Sequence, residues 1–141
     1  MRIGMNFKSL FFDRPKVTSA VDKTTRRVLS RFGAFVRRGA KSSIRKRKSV
    51  SAPGSPPSSH TGLLKRLIFF VFDPRRRSVV IGPVGFRKSE APELLEYGGS
   101  TTVERRGKRE QANYRARPFM GPAFDQEQPK LPQMWRDAIR R

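Results

Sequence analysis

The chain has 141 residues and a formal net charge of +21, because 32 lysines and arginines face only 11 aspartates and glutamates. A domain of this length can bury a core, although the hydrophobic fraction of 35% is low and 11 prolines and 11 glycines favour irregular stretches. The absence of cysteine and the presence of one histidine exclude disulfides, thiolate metal sites, a cysteine nucleophile and a multi-histidine metal site. So large a positive charge predicts an anionic partner, either nucleic acid or an acidic protein surface.

At the N-terminus, residues 3–12 (IGMNFKSLFF) predict a strand. This segment has neither the sustained apolar core nor the cleavage site of a signal peptide. The longest apolar run, LIFFVF at 67–72, is too short to cross a bilayer and suits a buried strand. We therefore expect an intracellular protein without a membrane partner.

A long amphipathic helix is predicted over residues 15–45. Asp13 offers an N-cap side chain, and Pro15 fits the first helical turn. Apolar side chains recur at helical spacing on one face: Val17, Val21, Val28, Phe32, Phe35 and Val36. Gly33 lies within this pattern and is expected to cost about 1 kcal/mol relative to alanine.

Residues 45–61 (RKRKSVSAPGSPPSSHT) predict an exposed, mobile loop in which nothing packs. A basic cluster without an acidic residue spans the end of the helix and the start of this loop: Arg37, Arg38, Lys41, Arg45, Lys46, Arg47 and Lys48. It is the candidate contact site for DNA or an acidic partner, since each neutralised phosphate releases counterions. The other interpretation is a solvated charged face.

The remaining elements complete an α+β fold in a single domain, residues 1–141. They are a hairpin over 64–83, a short helix in SEAPELLEYGG that ends at Gly98-Gly99, a basic hairpin over 100–117 and a tail helix in PQMWRDAIRR. The predicted architecture is a long N-terminal amphipathic helix packed on a small antiparallel sheet, with a short middle helix and a C-terminal helix.

The apolar stretch PFMGPAFD, residues 118–125, predicts a packing contact near the end of the chain. Pro118 is expected to end the preceding strand, and Pro122 fits the first turn of a helix. Phe119, Met120 and Phe124 are then predicted to dock that helix onto the sheet.

The sequence contains few residues that could serve in catalysis, so we expect neither enzymatic activity nor a cofactor. The one histidine, His60, lies among serines and prolines, where a catalytic base would lack a fixed geometry. The sequence has no phosphate-binding glycine loop followed by Lys-Ser or Lys-Thr, and its carboxylates are scattered.

The order of the motifs resembles the head–tail joining, or tail-completion, family of tailed bacteriophages, typified by the HK-ninety-seven gene-ten product. Members carry a Thr-Gly-x-Leu start to a hairpin, a strand ending in Val-Gly, a Glu-x-Gly that closes a short helix, and a Pro-Phe-x-x-Pro-Ala segment. The matching positions are Thr61, Gly62, Leu64, Ile81, Gly82, Glu96, Tyr97, Gly98, Pro118, Phe119, Pro122 and Ala123. The resemblance implies that these positions serve packing or a subunit interface.

The resemblance also implies a non-enzymatic virion morphogenesis protein of a phage or prophage. It would be a subunit of an oligomeric ring at the neck or tail, assembled in the host cytoplasm. Its partners would be copies of itself, other neck or tail proteins, and double-stranded DNA passing through the channel. Composition alone leaves an alternative, a small basic protein that binds nucleic acid without sequence specificity.

Overall fold

The computed structural model describes residues 14–86 and 89–140, so the predicted N-terminal strand at 3–12 and the Asp13 cap lie outside the described residues. The elements in chain order are α1 (Arg14–Ser43), β1 (Arg45–Lys46), β2 (Ser58–Ser59), α2 (Leu63–Arg66), β3 (Ile68–Asp73), β4 (Ser78–Pro83), α3 (Ala91–Tyr97), β5 (Gly99–Arg105), β6 (Lys108–Tyr114), α4 (Met120–Glu127), a 3-10 helix (Gln128–Lys130) and α5 (Leu131–Ile139). The mixed α+β class with a long N-terminal helix is as predicted.

Helix α1 is the central element, against which β3, β4, α4 and α5 all pack. From Val28 onward its apolar face follows the predicted periodicity, with Val28, Phe32, Val36 and Ala40 buried, whereas Val17 and Val21 are 42% and 51% exposed. The core formed around this face includes residues from distant parts of the chain: Phe32, Val36, Ala40, Ile44, Ile68, Phe119 and Ala123. Burial of this stripe, rather than helix propensity alone, holds so long a helix in place.

The described strands form three two-stranded sheets. The β3–β4 hairpin runs from the pair Ile68–Pro83 to the pair Asp73–Ser78. It begins later than the predicted residue 64, because Leu63–Arg66 form one helical turn. The second hairpin pairs β5 with β6, and β1 and β2 form a short parallel pair.

The segment 45–61 is anchored at several points, which corrects the prediction that nothing in it packs. Pro57 and Ser59 are buried, although most of the segment is exposed. The Gly54 N–H donates to the Ala116 carbonyl at 2.9 Å. Arg117 donates from Nε to the Ser51 carbonyl, also at 2.9 Å. The partners lie beyond the second hairpin, so local composition could not predict these contacts.

The docking of α4 also differs from the prediction. Phe119 is buried, with 1% of its surface exposed. However, α4 packs chiefly on α1, where Phe124 meets Phe32 edge-to-face with ring centroids 5.5 Å apart. Strand β6 ends at Tyr114, so Pro118 lies in the connection and does not end the strand. Phe124 thus joins two helices, while Phe119 shares the buried core with Ile68 of β3.

The prolines near the C-terminus mark helix starts. Pro122 lies in the first turn of α4, as predicted. Pro129 lies in the 3-10 helix, and Pro132 lies in the first turn of α5. A proline at such positions removes only an N–H that would have no partner within the helix, so the chain passes from α4 through the 3-10 helix into α5 at little cost.

Candidate functional site

The structure divides the predicted basic cluster into two partly buried side chains, Arg37 and Lys41, and five exposed ones. Arg37, Arg38 and Lys41 belong to the last turns of α1. Arg45, Lys46, Arg47 and Lys48 follow the helix and are exposed. None of these four side chains makes a salt bridge within the described part of the chain.

Arg37 is a structural residue rather than a free cation. Its Nε donates to the Ile68 carbonyl at 2.8 Å. Its guanidinium carbon lies 5.5 Å from the centroid of the Phe69 ring, in cation–π geometry. Arg37 therefore ties α1 to β3 and is less available to an anionic partner than the four exposed residues.

Lys41 has a like-charged environment. Burial, followed by the nearby charges of Arg37 and Lys65, lowers the pKa of Lys41 from its ordinary value of 10.5. Lys65, in α2, joins this patch although the predicted cluster ended at residue 48. The sequence indicates such an extended basic region, because no aspartate or glutamate occurs from Lys23 to Phe72. An anion bound beside these groups would offset their mutual repulsion.

The structure brings two of the family-motif segments together. One carboxylate, that of Glu96 in α3, accepts hydrogen bonds from the backbone N–H groups of Phe119, Met120 and Gly121 at 2.9, 2.9 and 2.7 Å. These groups open α4, whose N-cap Phe119 provides no capping side chain. A carboxylate is favourable at this positive end of a helix. Glu96 is thus a helix cap supplied from a distant element.

Beside this cap, Gly98 lies close to the backbone that follows β6. Its φ is +73°, and a Cβ there would lie 2.9 Å from the Tyr114 carbonyl oxygen and 3.0 Å from the Ala116 nitrogen. Only glycine satisfies both the backbone conformation and the spacing. By contrast, Tyr97 is 78% exposed and takes no part in this packing.

The other motif positions have simpler roles. Ala123 is buried beside Gly39 of α1, while Leu64 and Ile81 pack against the core. Gly62 adopts a positive φ of +77° before α2, whereas Gly82 has open space where a Cβ would lie. Most of these positions therefore serve packing and turns.

The outer face of the β3–β4 hairpin is an exposed apolar surface, which corrects the prediction that the run at 67–72 forms a buried strand. Phe69, Val71 and Val80 are 46%, 62% and 58% exposed. Val71 and Val80 are cross-strand partners, and Phe69 lies two positions from Val71 on the same face. We call these three residues the outer apolar face. Contiguous exposed apolar surface of this kind marks interaction sites.

Two negative findings concern chemistry and membranes. Within residues 14–86 and 89–140, no group of three or more histidine, aspartate and glutamate side chains could hold a metal ion. None of the helices in those ranges is long and apolar enough to cross a membrane.

Comparison of the chain with protein-family models, curated proteins and solved structures finds no match. The resemblance to the phage joining family therefore stays a prediction.

Proposed function

We propose that the protein is a non-enzymatic structural subunit of the ring that joins the head of a tailed bacteriophage, or of a prophage-encoded particle, to its tail. The observation that supports assembly best is the outer apolar face, Phe69, Val71 and Val80, on a hydrogen-bonded hairpin. The order of the sequence motifs supports the phage setting. The first argument concerns a contact surface and the second the order of motifs along the chain, and neither requires catalytic groups.

A ring needs two different contact surfaces on each subunit, so that one copy presents a face that the next copy covers. The outer apolar face fits one side of such a contact. Complete burial of one such side chain contributes about 1.5–3 kcal/mol.

The net charge of +21 opposes self-association, because like charges repel. Added salt, an acidic neighbour or DNA in the channel would offset this repulsion. The exposed Arg45, Lys46, Arg47 and Lys48 suit a surface facing DNA phosphates, since none is held by an acid within the described residues.

The assembly part of the proposal is tested by multi-angle light scattering of the full chain at high salt. We expect a concentration-dependent oligomer, and we expect Val71→Asp to dissociate it. The matched control is Val50→Asp, at an exposed valine in the loop before β2. A monomer at every concentration and salt, with no response to Val71→Asp, would contradict assembly through this face.

The phage part is tested by the neighbouring genes. We expect genes for portal, capsid or tail-tube proteins beside the gene for this chain. A gene set unrelated to virion assembly would remove the support for a head–tail role while leaving the oligomer test intact.

A second candidate function is non-specific nucleic-acid binding, favoured by the same four exposed cations. A mobility-shift titration of duplex DNA over a range of salt concentrations tests it. If the cluster binds phosphates, replacing Lys46 and Lys48 by glutamine lowers the slope of log affinity against log salt by about 0.9 for each phosphate that is no longer neutralised. An unchanged slope would place the DNA-binding surface elsewhere. A monomer with a steep salt slope would favour this function over the ring.

A further inference from the structure

A groove lies between β4 and α4, with α1 as its floor. Val79, Val80 and Ile81 form one wall, Met120, Gly121 and Phe124 form the other, and Val36 lies below. The groove is an open cleft of about 400 Å³. Each of these residues is apolar or glycine, so the groove suits aliphatic side chains.

The open edge of β4 borders this groove. Within the described residues, β4 pairs only with β3. Backbone groups of an antiparallel strand alternate between its two edges, and the Val84 N–H donates to the Leu67 carbonyl on the β3 side at 3.0 Å. By this alternation Val80 and Gly82 pair with β3, whereas the N–H and C=O groups of Val79 and Ile81 point to the open edge.

Pro83, at the next outward-pointing position, has no N–H to offer. Proline in a sheet is confined to such edge positions. The edge therefore presents a short, defined set of backbone groups beside an apolar groove: two N–H donors, from Val79 and Ile81, and three C=O acceptors, from Val79, Ile81 and Pro83.

We propose that this groove binds an extended segment of an acidic partner protein, which adds to β4 as a third strand. Main-chain hydrogen bonds to Val79 and Ile81 would provide affinity, and alternate apolar side chains of the segment would enter the groove. The inference stands on this geometry and does not rest on the proposed ring function.

Charge selects the kind of partner. A second copy of this chain would bring another +21 to the site, whereas an acidic segment is attracted to it. The turn before β4 carries Arg75, Arg76 and Arg77. Arg77 pairs with Asp22 at 3.1 Å, and Arg76 reaches Asp73 only at 4.0 Å. The Arg75 side chain has no acidic partner in the part of the chain that the structure describes, and it can pair with an acidic residue at the end of the bound segment.

The probe is a labelled synthetic peptide of alternating valine and threonine with glutamates at both ends, titrated against the full chain by fluorescence polarisation. One control peptide carries lysine in place of glutamate, and another is N-methylated at alternate positions on the edge-facing side. We expect each control to bind at least about tenfold more weakly. Amide hydrogen exchange should slow at Val79 and Ile81 when the acidic peptide binds.

Two variants locate the binding site. Phe124→Ala removes part of a groove wall and should weaken peptide binding by about tenfold. Val71→Ala truncates the outer apolar face of the same hairpin and should leave peptide binding unchanged. Because Val71 belongs to the proposed assembly face and Phe124 to the groove, failure of one proposal is distinguishable from failure of the other.

Four results would overturn the inference. The acidic peptide could fail to bind, or the N-methylated peptide could bind equally well. Val79 and Ile81 could become protected with rising protein concentration alone, which would assign the groove to a second copy. Deletion of residues 1–13 could strengthen peptide binding, which would assign the groove to the chain's own N-terminal segment.

Discussion

The carboxylate of Glu96 joins two segments that are far apart in the chain. It accepts hydrogen bonds from Phe119, Met120 and Gly121, which open α4. Such charge-assisted bonds are stronger than bonds between neutral groups. At the scale of single residues, this contact and the burial of Phe119 hold the C-terminal part of the chain to the rest.

Replacement of Glu96 by alanine should lower the free energy of unfolding by about 2 kcal/mol, because backbone N–H groups lose a charged acceptor. Urea denaturation measures this change. The control is Glu93→Ala, at an exposed glutamate in the first turn of α3, which should change stability by less than about 0.5 kcal/mol. Equal effects of the two substitutions would argue against a capping role for Glu96.

Phe119→Ala should cost about 3–5 kcal/mol, as for a buried aromatic side chain. Phe119 is almost fully enclosed, whereas Phe124 is 40% exposed, so Phe124→Ala should cost clearly less in the same thermal or urea denaturation experiment. If Phe119→Ala left stability unchanged, the segment would be a partner-binding surface and not core.

The lowered pKa of Lys41 predicts a pH dependence. A cation whose pKa is lower in the folded state loses its proton more readily there than in the unfolded chain, so its contribution to stability rises as pH increases through the folded pKa towards 10.5. At pH 7 Lys41→Gln should therefore be at least as stable as the parent, and this advantage should shrink as pH rises through the lowered folded pKa towards 10.5. Urea denaturation at several pH values checks this, with the exposed Arg38→Gln as control; a fixed loss of stability at every pH would contradict it.

At the scale of elements, the packing of α1 on the β3–β4 hairpin depends on Gly33. A Cβ at Gly33 would lie 2.7 Å from Val79 Cγ2 and 3.0 Å from the Phe70 ring. Both are crowded side-chain atoms of the hairpin. The glycine that weakens the helix in isolation is therefore a position where the helix and the sheet approach each other closely.

Gly33→Ala should be destabilising by up to about 2 kcal/mol, because overpacking costs about 1–3 kcal/mol and a helix-propensity gain of about 1 kcal/mol offsets only part of it. Ala34→Gly, at an exposed position of α1, measures the propensity effect alone in the same denaturation experiment. A gain in stability for Gly33→Ala would mean that the Val79 and Phe70 side chains move aside without a loss of free energy.

At the scale of the whole molecule, positive charge sets the response to solvent. The net charge of +21 is spread over a chain with few acidic residues. Repulsion among these charges disfavours the compact state, and screening relieves it as the Debye length falls from about 30 Å at 0.01 M salt to about 3 Å at 1 M.

We therefore expect the melting temperature to rise with sodium chloride concentration. A variant with glutamine at Arg45, Lys46, Arg47 and Lys48 should show a shallower rise, since these exposed residues make no salt bridge within the described residues. Scanning fluorimetry over this salt range measures both slopes. Identical slopes would mean that the repulsion originates elsewhere in the chain.

Local patterns determined the elements of this protein. The spacing of Val28, Phe32 and Val36 predicted the long helix, and the β-branched and aromatic residues around 67–82 predicted the first hairpin. Both periodicities are properties of neighbouring residues, so the sequence alone is sufficient for them. The excess of basic residues and its implication of an anionic partner likewise follow from composition.

Only the tertiary structure decided how those elements meet. It assigned Glu96 to the N-terminus of α4, Gly33 to the contact with Val79, and Arg37 to the Ile68 carbonyl. Among the described residues, it also left one face and one edge of the β3–β4 hairpin uncovered. These features depend on distances between residues that are remote in the chain, and neither spacing nor composition specifies such distances.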